Sequence, residues 1–371
     1  MSEPRSADRL TTLAAALDAP VGSLAAVRAP GRVNLIGEHV DYNDGVVLPM
    51  AIDRDALVAW RARRDGRTTA RSLELPGLVE CSAQGATTGP TWGAFVPAAA
   101  RAAVGLGAVP VALDLAITST VPAGGGLSSS AALGVALVLA HCIAGGIDPD
   151  RRALALAARE VEVAATGVPV GTMDQLASAL GVADHALRID CRDLGVEPVA
   201  IPDGLAVLVV HSGIERTLAG SEYAERRNAC EVAARRLDLP ALRDARTEQV
   251  ANDPFARHVV AEIARVDAFI AALRTGDHLA LGRILLEGHA SLRDDFGVSL
   301  PEIDALVDAL VAAGAYGARI TGAGFGGCVV AIGDPDGIDA IAASATDRYA
   351  TGTGRSPRSF VVRAASGAAP C

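Results

Sequence analysis

The residues best suited to chemistry are Gly124-Gly-Gly-Leu-Ser-Ser-Ser130. Three consecutive glycines let a backbone approach a ligand without interference from Cβ atoms. Serine hydroxyls can cap a helix or reach a metal ion. Ahead of this stretch Val111, Leu113, Leu115 and Ile117 alternate with other residues, the period of a half-buried strand. Behind it, residues 131–144 run apolar and alanine-rich until Gly145, which predicts a buried helix. The glycines and serines therefore sit on a strand-to-helix turn, where first-turn N–H groups at the positive helix end can hold an anion. A plain flexible turn is the competing reading, because glycine punctuates many loops. The serine run favours a phosphate loop.

The chain contains no lysine, so all 33 basic residues are arginine. A Walker loop needs Gly-Lys-Ser/Thr and a protein kinase needs its strand lysine, so both are excluded. Lysine Schiff-base chemistry is excluded with them. Phosphate charge must instead meet backbone amides, hydroxyls, arginine or a metal ion.

A second group lies near the start. Val33, Leu35 and Ile36 anchor a short strand, and Glu38, His39, Asp41, Tyr42, Asn43 and Asp44 crowd the loop that follows. Acidic turn residues are usually only solvated. Here carboxylate, amide and imidazole groups cluster together, and such groups suit sugar hydroxyls, each of which gives and takes a hydrogen bond. Arg32 precedes them and could face a transferring phosphoryl group. Residues 151–166 form an amphipathic helix carrying Glu160 and Glu162, carboxylates expected to be solvated on such a face. In Gly167-Val-Pro-Val-Gly-Thr-Met-Asp-Gln175, Asp174 opens the next helix, where acids are commonly caps.

The elements that position these residues follow from pattern. Residues 1–26 read as a surface helix and loop, 51–79 as two or three strands, and 91–104 as a helix with Trp92 as core rather than a base platform. Residues 187–194 predict a strand and turn, and a boundary near 195–203 fits Gly195, Pro198 and Pro202. Residues 205–210 predict a buried strand. Helices follow at 221–237, 259–274, 277–291 and 301–313. A second glycine-rich loop spans 318–328 and leads into a strand at 329–332, with an edge strand at 360–363. Mixed helices and strands predict an α+β architecture. The 371 residues, half hydrophobic, allow two domains with a large core. A net charge of −10 gives no reason to expect nucleic acid or an anionic membrane as partner. No apolar run reaches the roughly 20 residues of a membrane span. Residues 1–10 lack the hydrophobic segment of a secretory signal. Six scattered cysteines show neither zinc nor C-x-x-C spacing and are expected to be reduced. A cytoplasmic protein is the expectation.

Three separated stretches resemble one family, the galactokinases of the GHMP kinase superfamily. Gly31-Arg-Val-Asn-Leu-Ile-Gly-Glu-His-Val-Asp-Tyr-Asn-Asp-Gly45 resembles the first galactokinase motif. Gly124-Gly-Gly-Leu-Ser-Ser-Ser-Ala131 is similar to the superfamily's ATP loop, and Arg319-Ile-Thr-Gly-Ala-Gly-Phe-Gly-Gly-Cys328 to its third motif. Lesser matches lie between them in the family's order, among them Gly171-Thr-Met-Asp-Gln175 and Ser221-Glu-Tyr-Ala-Glu-Arg-Arg227.

The resemblance implies a two-lobed GHMP kinase fold, with a ribosomal-protein-S5-like N-terminal domain over residues 1–198 and a ferredoxin-like C-terminal domain over 199–371. The active site would lie in the cleft between them, and ATP with Mg²⁺ would phosphorylate the C1 hydroxyl of D-galactose. Asp174 falls on the catalytic aspartate and Arg32 on the arginine beside it. Glu38, His39, Asp41, Gly171 and Tyr223 fall on sugar contacts. Gly124, Gly125, Gly126, Leu127, Ser128, Ser129 and Ser130 would cradle the nucleotide phosphates. Ser130 and Glu162 fall on the magnesium ligands. Two residues depart from the family pattern: Val40 stands where Thr is usual, and Val170 where many have Cys, both expected at the rim of the sugar site. The resemblance also leaves open a kinase for arabinose, N-acetylgalactosamine or a uronic acid, although Glu38 would repel a uronate. A non-catalytic sugar sensor on the same fold is the reading from another class. A monomer is expected.

Overall fold

The computed structural model describes residues 6–81, 87–122, 125–214 and 219–371, with the side chains of residues 6, 87 and 219–221 left aside. Leu13 of the first helix, α1 (Ser6–Ala16), and Leu17 just after it pack with Ala26, Leu57, Ala59 and Ala116 as a small satellite core. The chain then builds β1 (Ala25–Asn34), β2 (Val46–Val47), β3 (Pro49–Ala62), β4 (Thr68–Ser72), β5 (Leu78–Cys81) and β6 (Thr87–Thr88). Helix α2 (Phe95–Gly105) leads to β7 (Leu113–Ser119), and then come α3 (Ser129–Ala144), α4 (Arg151–Thr166) and α5 (Met173–Leu180). A seven-stranded sheet forms in the order β14-β1-β3-β7-β4-β5-β6, where β14 (Ala369–Pro370) is the returning C-terminus. The strand anchored by Val33 is longer than expected, because β1 pairs along β3 from Ala25 to Asn34, with a register shift between Pro30 and Arg32.

The helices carry legible signals. Asp150 accepts from the backbone N–H groups of Arg152 and Ala153 to start α4, and Gly167 at φ 73° ends it. Helix α3 is buried nearly all round, as its alanine-rich sequence predicts.

Strands β8 (His185–Asp190) and β9 (Gly195–Ala200) form a full antiparallel hairpin that also pairs with β2. The division expected between residues 198 and 199 falls inside β9. After this hairpin, β10 (Ala206–His211) begins the second half. Its helices are α6 (Ala219–Arg236), α7 (Thr247–Val250), α8 (Pro254–Thr275), α9 (His278–Asp294), α10 (Pro301–Ala312) and α11 (Ile338–Thr353). With β11 (Gly317–Thr321), β12 (Cys328–Gly333) and β13 (Arg358–Val362) the strands form an antiparallel sheet in the order β11-β12-β10-β13.

Three details differ from the sequence reading. Residues 318–328 are not one loop: the first four belong to β11, buried throughout, and Cys328 starts β12. Helix α11 has no counterpart in that reading. The chain does not end in the second half, because Ala364 bridges Ile52 and β14 pairs with β1. Trp92 is partly buried against the main core, as expected, and that core runs through both halves. Among the described residues no helix is long and apolar enough to cross a membrane, and the cysteines are free thiols.

Candidate active site

A cavity of about 460 Å³ lies where the halves meet. From the first half it takes Arg32 at the end of β1, the loop residues Glu38, His39 and Asp41, Gly126 and Ser128–Ser130, Glu162 of α4, and Gly171 and Asp174 around the start of α5. Tyr223 of α6 and Gly322 and Ala323 after β11 close it from the second half. A larger cavity of about 560 Å³ lies elsewhere, lined mostly by apolar residues of α2 and the segment after it. Its lining carries neither a carboxylate nor the glycine loop, so the chemistry belongs to the interlobe cavity.

Arg32, with only a twentieth of its side chain exposed, organises the first half of the site. Its Nε donates to Asp174 Oδ1 at 2.8 Å, its Nη2 lies 2.7 Å from the same oxygen, and its Nη1 donates to the Gly126 carbonyl at 2.6 Å. One guanidinium thus fixes both the carboxylate and the glycine loop, which a fork of several donors allows. The second oxygen of Asp174 accepts from Ser128 Oγ. Asp174 is therefore not a helix cap, contrary to the usual role of an acid at that position. Ser128 adopts left-handed backbone angles and leaves α3 without a side-chain cap. The first-turn N–H groups of α3 consequently keep the capacity to bind an anion.

Glu162 is buried, contrary to the expectation of a solvated face, whereas its neighbour Glu160 is exposed. Its oxygens accept from Ser130 Oγ at 2.6 Å and Gln175 Nε2 at 2.6 Å. Burial raises its pKa, opposed by those hydrogen bonds and aided by Asp174. A hydroxyl and a carboxylate are hard oxygen donors that suit Mg²⁺, which normally completes its shell with phosphate and water. Among the described residues no cluster of three or more His, Cys, Asp or Glu forms a protein-only cage. The donor set therefore fits a cation shared with a bound phosphate.

The sugar-loop residues divide into three kinds. Asp41 is pushed up to about 6 by burial and by Asp174. Gly171 packs against it so closely that an added Cβ would overlap Asp41 Oδ2. His39 has both ring nitrogens engaged: Nε2 faces the Ala323 carbonyl at 3.2 Å, so it carries the proton, and Nδ1 accepts from Tyr42 at 2.9 Å. Its ring lies 4.8 Å from that of Phe296 and 5.6 Å from Tyr223, forming an aromatic wall. Glu38 is almost fully buried, with Oε2 2.9 Å from Arg319 Nη2 and Oε1 accepting from Gly322 N at 3.3 Å. Val40 is buried in the core beside Gly45 and does not line the cavity, whereas Val170 does.

Gly124 lies outside the described residues. The other expected site residues meet at the cavity, except that Gly125 and Leu127 do not line it. Sequence reasoning missed the supports: Ser128 on Asp174, Gln175 on Glu162, and Arg319 behind Glu38. A signal for Arg319 exists, since a charge between Ala318 and Ile320 in an apolar strand needs a buried partner.

Residues 18–62 match the galactokinase galactose-binding signature, residues 94–182 the GHMP kinases N terminal domain, and residues 269–351 the GHMP kinases C terminal domain. The chain is 44% identical over 357 residues to a galactokinase of Chloroflexus aurantiacus, covering 92% of each chain. It is 44% identical over 358 residues to a galactokinase of Roseiflexus, covering 92% of this chain and 91% of that one. The crystal structure of Lactococcus lactis galactokinase complexed with galactose superposes with a TM-score of 0.92 at 28% identity, over 98% of this chain and all of that one.

Proposed function

The chain belongs to the galactokinase family of the GHMP kinases, and from that premise we propose that it transfers the γ-phosphoryl group of ATP to the C1 hydroxyl of D-galactose. The products are α-D-galactose 1-phosphate and ADP. The observation that carries this reading is the joining of Asp174, Arg32 and an uncapped α3 start in one cavity with the sugar loop.

Phosphoryl transfer is mostly positioning and charge stabilisation. Asp174 accepts or orients the proton of the C1 hydroxyl. Arg32 holds Asp174 in place and contributes positive charge beside the moving group. The amides and hydroxyls of residues 124–130 cradle the phosphates. Ser130 and Glu162 would hold Mg²⁺, which when bound neutralises phosphate charge that no lysine is present to meet. Asp41, Glu38 and Tyr223 present acceptors and a donor to the sugar hydroxyls, and Gly171 brings backbone close to the ring. Work as a monomer in the cytoplasm completes the proposal.

An assay of ADP release with ATP and a panel of monosaccharides tests the reading. Galactose should give the highest kcat/KM. A preference above about 10²-fold for arabinose or N-acetylgalactosamine would displace it.

A further inference from the structure

Behind the cavity lies a buried ionic group that the chemistry above does not use. Arg319, on β11, is fully buried, and its Nη2 sits 2.9 Å from Glu38 Oε2 and 2.7 Å from Glu262 Oε1. Glu262, on α8, also accepts from the backbone N–H of Gly37 at 2.9 Å and from Arg265 Nε at 2.8 Å. His258, one helical turn earlier, has Nε2 3.2 Å from the Glu38 carbonyl. Thr321, at the end of β11, has its hydroxyl 3.1 Å from Glu38 Oε1. One strand and one helix of the second half therefore grip the sugar loop by side chain and backbone.

The group is a poor candidate for a stabilising device. None of the three guanidinium nitrogens of Arg319 makes a hydrogen bond among the described residues, so the contacts of Nη2 with the two carboxylates are purely ionic. A buried ion pair left partly unsatisfied recovers little of its desolvation cost and is weak support for stability. The packing nevertheless leaves room for this side chain: Gly288 of α9 stands where a Cβ would lie 2.5 Å from Arg319 Nη1. What the group does accomplish is geometric. It occupies both Glu38 oxygens from behind while Glu38 still lines the cavity, and each carboxylate oxygen keeps lone-pair capacity for a ligand.

We propose that Arg319 is a positioning residue for sugar binding: lodged between Glu38 and Glu262, it fixes the Glu38 carboxylate at the cavity wall and ties the sugar loop to β11. This rests on the galactokinase reading and deepens it. Lysine carries a compact ammonium on a shorter stem, so its charge would fall short of the point between the two carboxylates that Nη2 occupies.

The test measures KM for galactose and for ATP in Arg319→Lys, in Glu38→Gln and in the double variant. Arg319→Lys should raise the galactose KM about tenfold and leave the ATP KM within about twofold. In the Glu38→Gln background the same change should add less than about twofold, because the contact it disturbs is already altered. An unchanged galactose KM in folded Arg319→Lys overturns the proposal, as does an undiminished effect in the double variant or an equal rise in both KM values. If Arg319→Lys does not fold, Gly288→Ala carries the test by the same criteria, since it presses on the guanidinium without removing its charge. Wild-type turnover of galactose is measured alongside. Its absence defeats the galactokinase reading, whereas its presence with unaffected variants defeats this inference alone.

Discussion

Arg32 and Asp174, 142 residues apart in sequence, are joined by a 2.8 Å hydrogen bond at the floor of the interlobe cavity. The same guanidinium holds the Gly126 carbonyl, so the Asp174 carboxylate and the glycine loop are fixed to one cation. In the proposed reaction, the relative placement of sugar and nucleotide would then depend on few rotatable bonds.

Replacing Asp174 tests the chemistry most directly. Asp174→Asn preserves shape and removes the charge that accepts or orients the hydroxyl proton. Turnover should fall at least about 10²-fold, while galactose binding measured by calorimetry stays within about tenfold, roughly 1.4 kcal/mol. Near-normal ADP release from this variant would contradict the role given to Asp174.

Gly171→Ala tests the shape of the sugar pocket. The new methyl group would overlap Asp41 Oδ2 and push that carboxylate off its position. The galactose KM should rise about tenfold, consistent with overpacking costs of about 1–3 kcal/mol, and the ATP KM should hold. A rise confined to the ATP KM would place Gly171 on the wrong substrate.

The acid limb of the pH profile should belong to Asp41. Burial and Asp174 raise its pKa to about 6, from an ordinary 3.8. The folded state therefore binds this proton more tightly than the unfolded chain. The stability this group contributes is present below about 3.8 and lost as pH rises through about 6. Sugar recognition runs the opposite way, because an ionised carboxylate is the better acceptor of hydroxyl hydrogens. Accordingly kcat/KM for galactose should climb through about pH 6 and then level. Asp41→Asn should be low and flat there, and the same limb persisting in that variant would reassign it.

Metal dependence should reside in Glu162. Glu162→Gln keeps the volume and one carbonyl oxygen but loses the charge, so half-maximal activity should need about tenfold more Mg²⁺. Direct titration of activity against Mg²⁺ at saturating ATP reads this out. An unshifted midpoint would remove Glu162 from the metal site.

Much of the architecture was readable along the chain because its causes are short-range. The capping of α4 by Asp150 and Gly167, the alanine-rich run of α3 and the apolar run of β10 depend on neighbours within a few residues. The same holds for the strand–turn–helix context of residues 125–130. Helix α11 escaped because it carries no side-chain cap and its apolar positions are alanine-rich, leaving little periodic contrast. The division expected between residues 198 and 199 falls inside β9 because Pro198 and the nearby glycine mimic a linker, yet this proline sits in an edge strand, where it is tolerated.

Sequence alone determined the chemistry available: no lysine, a serine-rich glycine loop, an Asp in Gly171-Thr-Met-Asp-Gln175, and a loop crowded with carboxylate, imidazole and amide groups from Glu38 to Asp44. Only the tertiary structure decided how those groups are held. It buried Glu162, turned Ser128 onto Asp174 instead of onto its own helix, and set Arg319 behind Glu38. The physical reason is range. Propensity and turn chemistry act over a few bonds, whereas the partners of a buried charge are chosen by which distant strands and helices the topology packs together.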